Sequence, residues 1–202
     1  MSLNLPKSTD INRFVAKANF YKQAGITPKL HDLIEQQIGR ITWTNKVAPT
    51  TMNISSEEIA EFQSFDIQLK AHELNKAILP FIQKSVPYPI IFTIRGGRGS
   101  QVAAVTTGFK QPVVLSTEWQ SDISLQLKGN STDVIYKNYL LQLSSGFAAV
   151  NGDAEKHIEA IRLKRNIDAF SARIKNEAQI NKRQDLARER HKLETELEEL
   201  LG

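Results

Sequence analysis

Hydrophobic and polar positions follow different patterns in the two parts of the chain. Up to about residue 150, stretches with helical spacing of apolar residues mix with stretches of strand-like alternation. From Asn151 onward the spacing is helical only, and Asn151-Gly152-Asp153 is a natural break. The pattern predicts an α+β globular domain over residues 1–150, with a mixed sheet and packed helices. A long charged helix of coiled-coil character is predicted over residues 151–202.

Individual elements of the first part follow from the same spacing. Helices are predicted over residues 9–21, 28–40, 71–85 and 131–143, the last with Val134, Ile135, Tyr139 and Leu140 apolar. Pro80 should kink the third of these helices. Strands are predicted over residues 41–43, 59–69, 89–94, 101–107, 113–116 and 123–127. The run RGGRGS at 95–100 lies between two of the strands and predicts a β-hairpin.

The C-terminal part is predicted to start with Asp153 as the N-cap of its helix. Its apolar residues form two sets with three-and-four spacing whose heptad frames do not match. Three arrangements fit the mismatch: one helix with a slipped register, a break within 176–183, or two antiparallel helices. We favour one long helix, because no glycine or proline marks a turn. We call the apolar stripe along this part of the chain the seam. A helix this polar buries too little apolar surface to persist alone, so the seam is expected to need a partner. The seam residues are Ile167, Phe170, Ile174, Leu186, Leu193, Leu197 and Leu200.

Composition adds modest constraints. The chain has 202 residues, a formal charge of +4 and a pI near 9.2, which is a weak basic bias. The absence of cysteine excludes disulfides and thiolate chemistry. No signal-peptide core and no apolar run of membrane-spanning length is visible, so the sequence predicts a cytoplasmic protein with no membrane association.

The charges of residues 162–202 suggest a surface that binds nucleic acid as one interpretation of the C-terminal part. Between Arg162 and Lys192 there are ten basic and four acidic residues, and residues 193–202 carry four glutamates and no base. Such a stretch fits either a basic zipper on DNA or a solvated coiled-coil surface. Antiparallel pairing of two copies would set glutamates against basic residues, so charge favours either an antiparallel homodimer or docking against a basic surface of a partner. The candidate nucleic-acid-binding residues are Arg162, Lys164, Arg165, Arg173, Lys175, Lys182 and Arg183.

A second candidate site lies on the strand FDIQLK. Alternation places Asp66, Gln68 and Lys70 on one face, opposite Phe65, Ile67 and Leu69. Carboxylate and ammonium groups facing one phosphate are typical of metal-dependent nucleases. An exposed strand face explains the same pattern. A metal-dependent nuclease would also need a second acidic residue from another strand, and the sequence does not identify one.

Other candidate motifs favour structural interpretations. RGGRGS lacks the spacing of a phosphate loop, and no GxSxG, HxxxH or HxH motif occurs, so no metal or cofactor is predicted. The four histidines, His31, His72, His157 and His191, are predicted at the surface. Trp43 and Trp119 either close the edge of the core or stack bases beside Lys46 and Lys110.

The order of several segments resembles a family of small bacterial proteins classed as a domain of unknown function. The segments are LNLPKST, ITWTNKVAPTTMNI, FDIQLKAHELNKAILPFIQKSVPYPIIF, LQLKGNSTDVIYKNYLLQL and the basic-then-acidic tail. The resemblance implies a companion of helicase-like and methyltransferase genes in restriction or phage-defence clusters. It implies no activity.

Together these patterns favour a non-catalytic interaction subunit that uses its C-terminal helix for self-association or for docking on a partner of helicase or methyltransferase type. A defence or nucleic-acid-processing assembly is the expected setting. Two alternatives stay open: a metal-dependent nuclease using Asp66, Gln68 and Lys70, and a nucleic-acid binder using residues 162–192.

Overall fold

The computed structural model describes residues 3–22, 25–106, 112–143 and 153–201. The chain divides into two compact units, Met1–Ser145 and Gly146–Gly202. The fold is α+β, as the sequence predicts: a mixed sheet with packed helices is followed by long C-terminal helices. In the part of the chain so described, no helix is both long and apolar enough to cross a membrane.

The first unit is built on a six-stranded sheet in which strand order equals chain order. Neighbouring strands are antiparallel except β3 and β4, which run parallel. The strands are β1 (Asp10–Phe14), β2 (Ile38–Val47), β3 (Phe62–Leu69), β4 (Ile90–Gly96), β5 (Gly99–Val105) and β6 (Val114–Ser116). The helices are α1 (Ala18–Tyr21), α2 (Pro28–Gln37), α3 (Pro49–Met52), α4 (Ile78–Lys84) and α5 (Thr132–Gln142). Helix α4 provides the crossover that a parallel pair requires.

The main hydrophobic core lies on one face of the sheet, under α2 and α4. Ile34 of α2 and Ile82 of α4 are fully buried against alternate residues of the central strands. Those strand residues are Ile41, Phe65, Ile67, Ile90, Phe92, Ile94, Ala103 and Val105. The strict alternation within β3 to β5 assigns the intervening residues to the opposite face.

The opposite face is apolar at one end and polar at the other. At the apolar end, the ring of Phe62 contacts Tyr136 and Tyr139 of α5, with centroids 5.5 and 6.0 Å away. Asp133 ties α5 to the loop before β3, since its carboxylate accepts the N–H groups of Glu57, Glu58 and Ile59.

Two predicted helices near the N-terminus are wrong in part. Residues 10–14 of the predicted 9–21 helix form β1, because the ladder with β2 satisfies backbone groups that a helix would satisfy locally. Helix α2 stops at Gln37, and β2 is much longer than the predicted 41–43 strand. Register shifts after Ile38 and Trp43 hide the alternation of β2 from a reading of the sequence.

The remaining helices of the first unit correct two expectations. Pro80 is the third residue of α4, in the first turn where its missing N–H has no intrahelical partner, so the helix needs no kink. In α5, Tyr136 is buried whereas Val134 is 41% exposed. The Ser131 side chain accepts the N–H of Val134 and caps this helix.

The predicted strands are confirmed except the last. Strands β3 to β6 match their predicted positions to within a few residues, although residue 107 lies outside the described residues. The hairpin is confirmed: Gly99 adopts a φ of +106°, and a Cβ there would lie 2.4 Å from the Gln120 carbonyl. Residues 123–127 form none of the six strands, and Ser124 is a single bridge residue; Ile123 and Leu125 are buried, and the Asn4 amide donates to the Leu125 carbonyl.

The second unit is a helical hairpin, not one continuous helix. Helix α6 (Ala154–Asn176) starts at the predicted N-cap, where Asp153 accepts the N–H groups of Glu155 and Lys156. Helix α7 (Ile180–Leu201) packs against α6 after a three-residue break. Helices joined so closely can pack along each other only if they run antiparallel. The single helix we favoured is wrong, and the antiparallel alternative describes the unit. His157 in α6 is buried, contrary to the surface position predicted.

Candidate functional site

Polar side chains form a cleft on the face of the sheet that α2 and α4 leave uncovered. Thr42 of β2, Asp66 of β3 and Thr93 of β4 lie directly opposite one another across three adjacent strands. The cleft has a volume of about 450 Å³. Its lining residues are Leu3, Asn4, Leu5, Asn12, Thr42, Thr44, Asn45, Ser64, Asp66, Thr93, Arg95 and Ser100.

An ion pair at the floor of the cleft balances its charge. The Arg95 guanidinium donates to Asp66 at 2.6 Å, and the Thr93 hydroxyl donates to the other carboxylate oxygen at 3.1 Å. The hydrogen bond to Asp66 raises the pKa of Arg95, although burial acts against it. Asp66 is 9% exposed, whereas the Arg95 side chain is 57% exposed. One guanidinium nitrogen of Arg95 therefore binds Asp66 at the floor of the cleft, and the rest of the guanidinium is exposed to solvent.

The N-terminal segment forms a wall of the cleft. The Tyr139 hydroxyl donates to the Leu3 carbonyl at 2.6 Å, and the Asn4 amide donates to the Leu125 carbonyl at 2.8 Å. The backbone of Asn4 itself is in the left-handed region, with a φ of 52°. These bonds fix the segment relative to α5, so the cleft is a formed feature and not a gap under a loose tail.

The predicted nuclease residues do not converge on the cleft. Asp66 and Gln68 share its face, but β3 ends at Leu69, so the alternation does not extend to Lys70. The Lys70 ammonium instead donates to the Glu35 carbonyl of α2 at 3.1 Å. Among the described residues, no group of three or more His, Cys, Asp or Glu side chains is placed to hold a metal ion. The described geometry therefore gives the nuclease alternative no support.

A second candidate site is the hairpin tip, defined as residues 173–183 at the end where α6 returns as α7. It carries Arg173, Lys175, Lys182 and Arg183, all exposed, against the single carboxylate of Glu177. The described residues give none of these four cations a carboxylate partner, and the Arg173 guanidinium lies over the Phe170 ring at 5.2 Å from its centroid. The tip is therefore a cluster of uncompensated positive charge.

The other predicted nucleic-acid-binding residues lie further from the tip. Arg162 pairs with Glu159 at 3.4 Å, and Lys164 lies 3.9 Å from Asp168. Burial lowers the pKa of Arg165. The hairpin thus separates the predicted basic stretch into a partly neutralised segment of α6 and the basic tip.

The predicted interaction residues follow the inner faces of the hairpin. Ile167 is buried, and the remaining six are half-buried along heptad-like positions of α6 and α7. This is the pattern expected where two antiparallel helices cover each other's apolar stripes. The stripe that we expected to require a partner has a partner within its own chain.

Comparison with known proteins places the chain in a family. A family model described as a domain of unknown function (DUF4391) matches residues 3–197, which span both units. The chain belongs to the DUF4391 family. No curated protein and no solved structure matches it. The cleft and the basic tip both lie within the matched range of this DUF4391 chain.

The remaining residues singled out in the sequence have structural roles. Trp43 and Trp119 pack against the main core, and the Trp43 indole donates to the Asn45 carbonyl at 2.8 Å. Lys46 pairs with the buried Glu61 at 2.7 Å. Lys110 lies outside the described residues. These contacts support the core-edge interpretation of the tryptophans in this DUF4391 chain.

Sequence reasoning missed most of the cleft. The sequence predicts Ser64 and Thr93 only as parts of strands, and Arg95 only as a hairpin residue that could contact an acidic partner or a nucleic-acid backbone, because their convergence depends on pairing between strands distant in sequence. A signal existed: β3 and β4 each place polar residues at alternate positions within otherwise apolar runs. Apolar residues are expected on both faces of a doubly covered parallel pair, so a polar row there indicates a face with a different environment.

Proposed function

We propose that this protein is a non-catalytic subunit of a nucleic-acid-processing assembly, and that the basic tip of its C-terminal hairpin contacts the phosphate backbone. The observation that carries the proposal is the gathering of Arg173, Lys175, Lys182 and Arg183 at one end of a helical hairpin, where the described residues offer them no carboxylate partner. Phosphate contacts of this kind supply affinity and position, not sequence selectivity.

The distribution of charge along the hairpin supports this orientation. The four glutamates after residue 193 lie at the end of α7 remote from the tip, alongside the first half of α6. A polyanion that approached that end would meet like charge. Attraction at one end and repulsion at the other would direct nucleic acid to the basic tip.

Docking on a protein partner remains part of the proposal. A helicase- or methyltransferase-type enzyme in a bacterial defence assembly is the partner that the family resemblance suggests. Self-association through the apolar seam is less favoured, because α6 and α7 already cover that seam together. The assembly would therefore use other surfaces of this subunit.

Equilibrium binding to fluorescent duplex and single-stranded oligonucleotides tests the role of the tip. Replacing Lys175, Lys182 and Arg183 by glutamine should weaken binding by at least tenfold at moderate salt, because each lost contact retains counterions on the phosphates. A matched control replaces Lys164, Arg188 and Lys192, which lie on the same helices and are near carboxylates. Equal losses in both triple variants would contradict the assignment to the tip.

The nuclease alternative has its own assay. Labelled DNA incubated with Mg²⁺ or Mn²⁺ should stay intact in the presence of the purified protein. Cleavage that disappears in Asp66→Ala while binding to DNA persists would overturn the non-catalytic assignment.

A further inference from the structure

We infer that the polar cleft on the sheet binds a sugar phosphate group, either in a free nucleotide or as one unit of a single-stranded nucleic acid. This site is separate from the basic tip and does not depend on it. The inference rests on an unpartnered buried hydroxyl, on the set of hydrogen-bonding groups along the walls, and on a pair of arginines at the rim.

The strongest evidence is the Ser64 hydroxyl. Ser64 is 1% exposed and lines the cleft, and its Oγ has no hydrogen-bond partner within the described residues. An unpaired buried hydroxyl destabilises a fold by about 1–3 kcal/mol, whereas alanine at the same place would not. A hydroxyl at the floor of a polar cleft is explained if it serves a bound group.

The walls offer further groups suited to a polyhydroxylated ligand. Among the described residues, the side chains of Thr42, Ser100 and Asn12 make no hydrogen bond, although all three line the cleft. Hydroxyl and amide groups both donate and accept, as sugar hydroxyls do. The volume of about 450 Å³ lies within the range of small-molecule sites.

The rim supplies the positive charge that a phosphate requires. Arg40, Gln68 and Arg95 lie opposite one another on adjacent strands β2, β3 and β4, and all three are exposed. The two arginine Cα atoms are two strands, or about 10 Å, apart, so both guanidinium groups can reach one anion. The charge of Asp66 is already compensated through Arg95, which leaves Arg40 as the added cation.

An exposed aromatic ring lies next to this rim. Phe14 of β1 pairs with Thr42 across the ladder and is 57% exposed. The Arg40 guanidinium lies over its ring, 5.5 Å from the centroid. An aromatic ring with an arginine beside a phosphate site is an arrangement on which a base can stack. This extends the ligand class from a sugar phosphate to a nucleotide.

Calorimetric titration of the full chain with AMP, ribose 5-phosphate and inorganic phosphate tests the inference. Saturable binding of AMP and ribose 5-phosphate is expected, with inorganic phosphate much weaker. Ser64→Ala should weaken binding about 3- to 10-fold while the melting temperature stays equal or rises. Arg40→Gln should weaken binding about tenfold or more. Ser85→Ala, whose hydroxyl binds the Phe81 carbonyl on the other face, serves as the matched control.

Three results would overturn the inference. Absence of saturable binding to both AMP and ribose 5-phosphate overturns the inference, and so does binding that Ser64→Ala leaves unchanged. Equal binding of inorganic phosphate assigns the site to an adventitious ion only and also overturns it. A parallel arm with short single-stranded oligonucleotides identifies the source of the nucleotide. The triple variant of the tip should leave AMP binding intact, so failure of the cleft and failure of the tip are distinguishable.

Discussion

At the scale of single residues, buried carboxylates in this protein act as ties between segments. Asp66 joins β3 to β4 through Arg95 and Thr93, and Asp133 joins α5 to the loop before β3. Both accept several donors, which is how a buried carboxylate offsets the loss of its hydration. A polar pattern in the sequence therefore indicates a structural tie here as readily as a catalytic acid.

Asp133 provides a stability test. Burial alone would raise its pKa, but the N–H groups of Glu57, Ile59 and Glu58 together hold it below the usual value. Asp133→Asn should lower the free energy of unfolding by about 1–3 kcal/mol at pH 7. Because the folded pKa is depressed, this contribution is present above the unfolded pKa of about 3.9 and is lost as pH falls through the folded pKa.

Urea denaturation of the full chain at neutral and acidic pH measures this effect. The difference between wild type and Asp133→Asn should shrink as the pH falls below about 4. The exposed Asp32 makes a suitable control, since within the described ranges its carboxylate pairs with His31 alone. A deficit of the same size at every pH would show that the charge of Asp133 is not responsible.

At the scale of elements, the sequence predicted what local spacing encodes. Strand β3, the hairpin of β4 and β5, helix α5 and the Asp153 cap were all found from apolar spacing and turn residues. Strand β1 and most of β2 were missed, because their stability comes from pairing across the ladder and bulges break their alternation. The cleft was missed for the same reason: Thr42, Asp66 and Thr93 meet only through strand pairing.

The turn between α6 and α7 also has no local signal in the sequence. Residues 177–179 contain neither glycine nor proline, so nothing in the sequence forces α6 to end. The break is explained by what it permits: two stripes in different heptad frames can cover each other in antiparallel packing, whereas one straight helix would leave both exposed. The frame mismatch was thus a signal of the turn and not of a slipped register.

Distance measurement between spin labels tests the hairpin directly. The chain has no cysteine, so labels can be placed at Lys164→Cys and Lys192→Cys alone. A continuous helix would separate these positions by about 42 Å. Antiparallel helices have axes about 10 Å apart, so the hairpin predicts less than half the distance of the straight helix. A control pair at Lys164 and Lys175, both within α6, should give about 17 Å in either case.

At the scale of the whole molecule, a net charge of +4 understates the local fields. Ion pairs along α6 and α7 and the acidic end of α7 cancel most of the basic stretch, and what remains is concentrated at the tip. A mild overall charge therefore coexists with a local concentration of cations at the tip. Binding should show the salt dependence of a few contacts and not that of a strongly basic protein.

The slope of affinity against salt expresses this in a measurable form. If the four tip cations each neutralise one phosphate of duplex DNA, the logarithm of the association constant should fall with the logarithm of salt concentration with a slope of about −3 to −4. Glutamine at Lys175, Lys182 and Arg183 should reduce the slope to about −1, because one contact remains. A steeper slope for the wild type would require phosphate contacts beyond the tip. A flat slope would exclude nucleic acid as the partner of the tip. An acidic protein surface would then be the partner that the same charges fit.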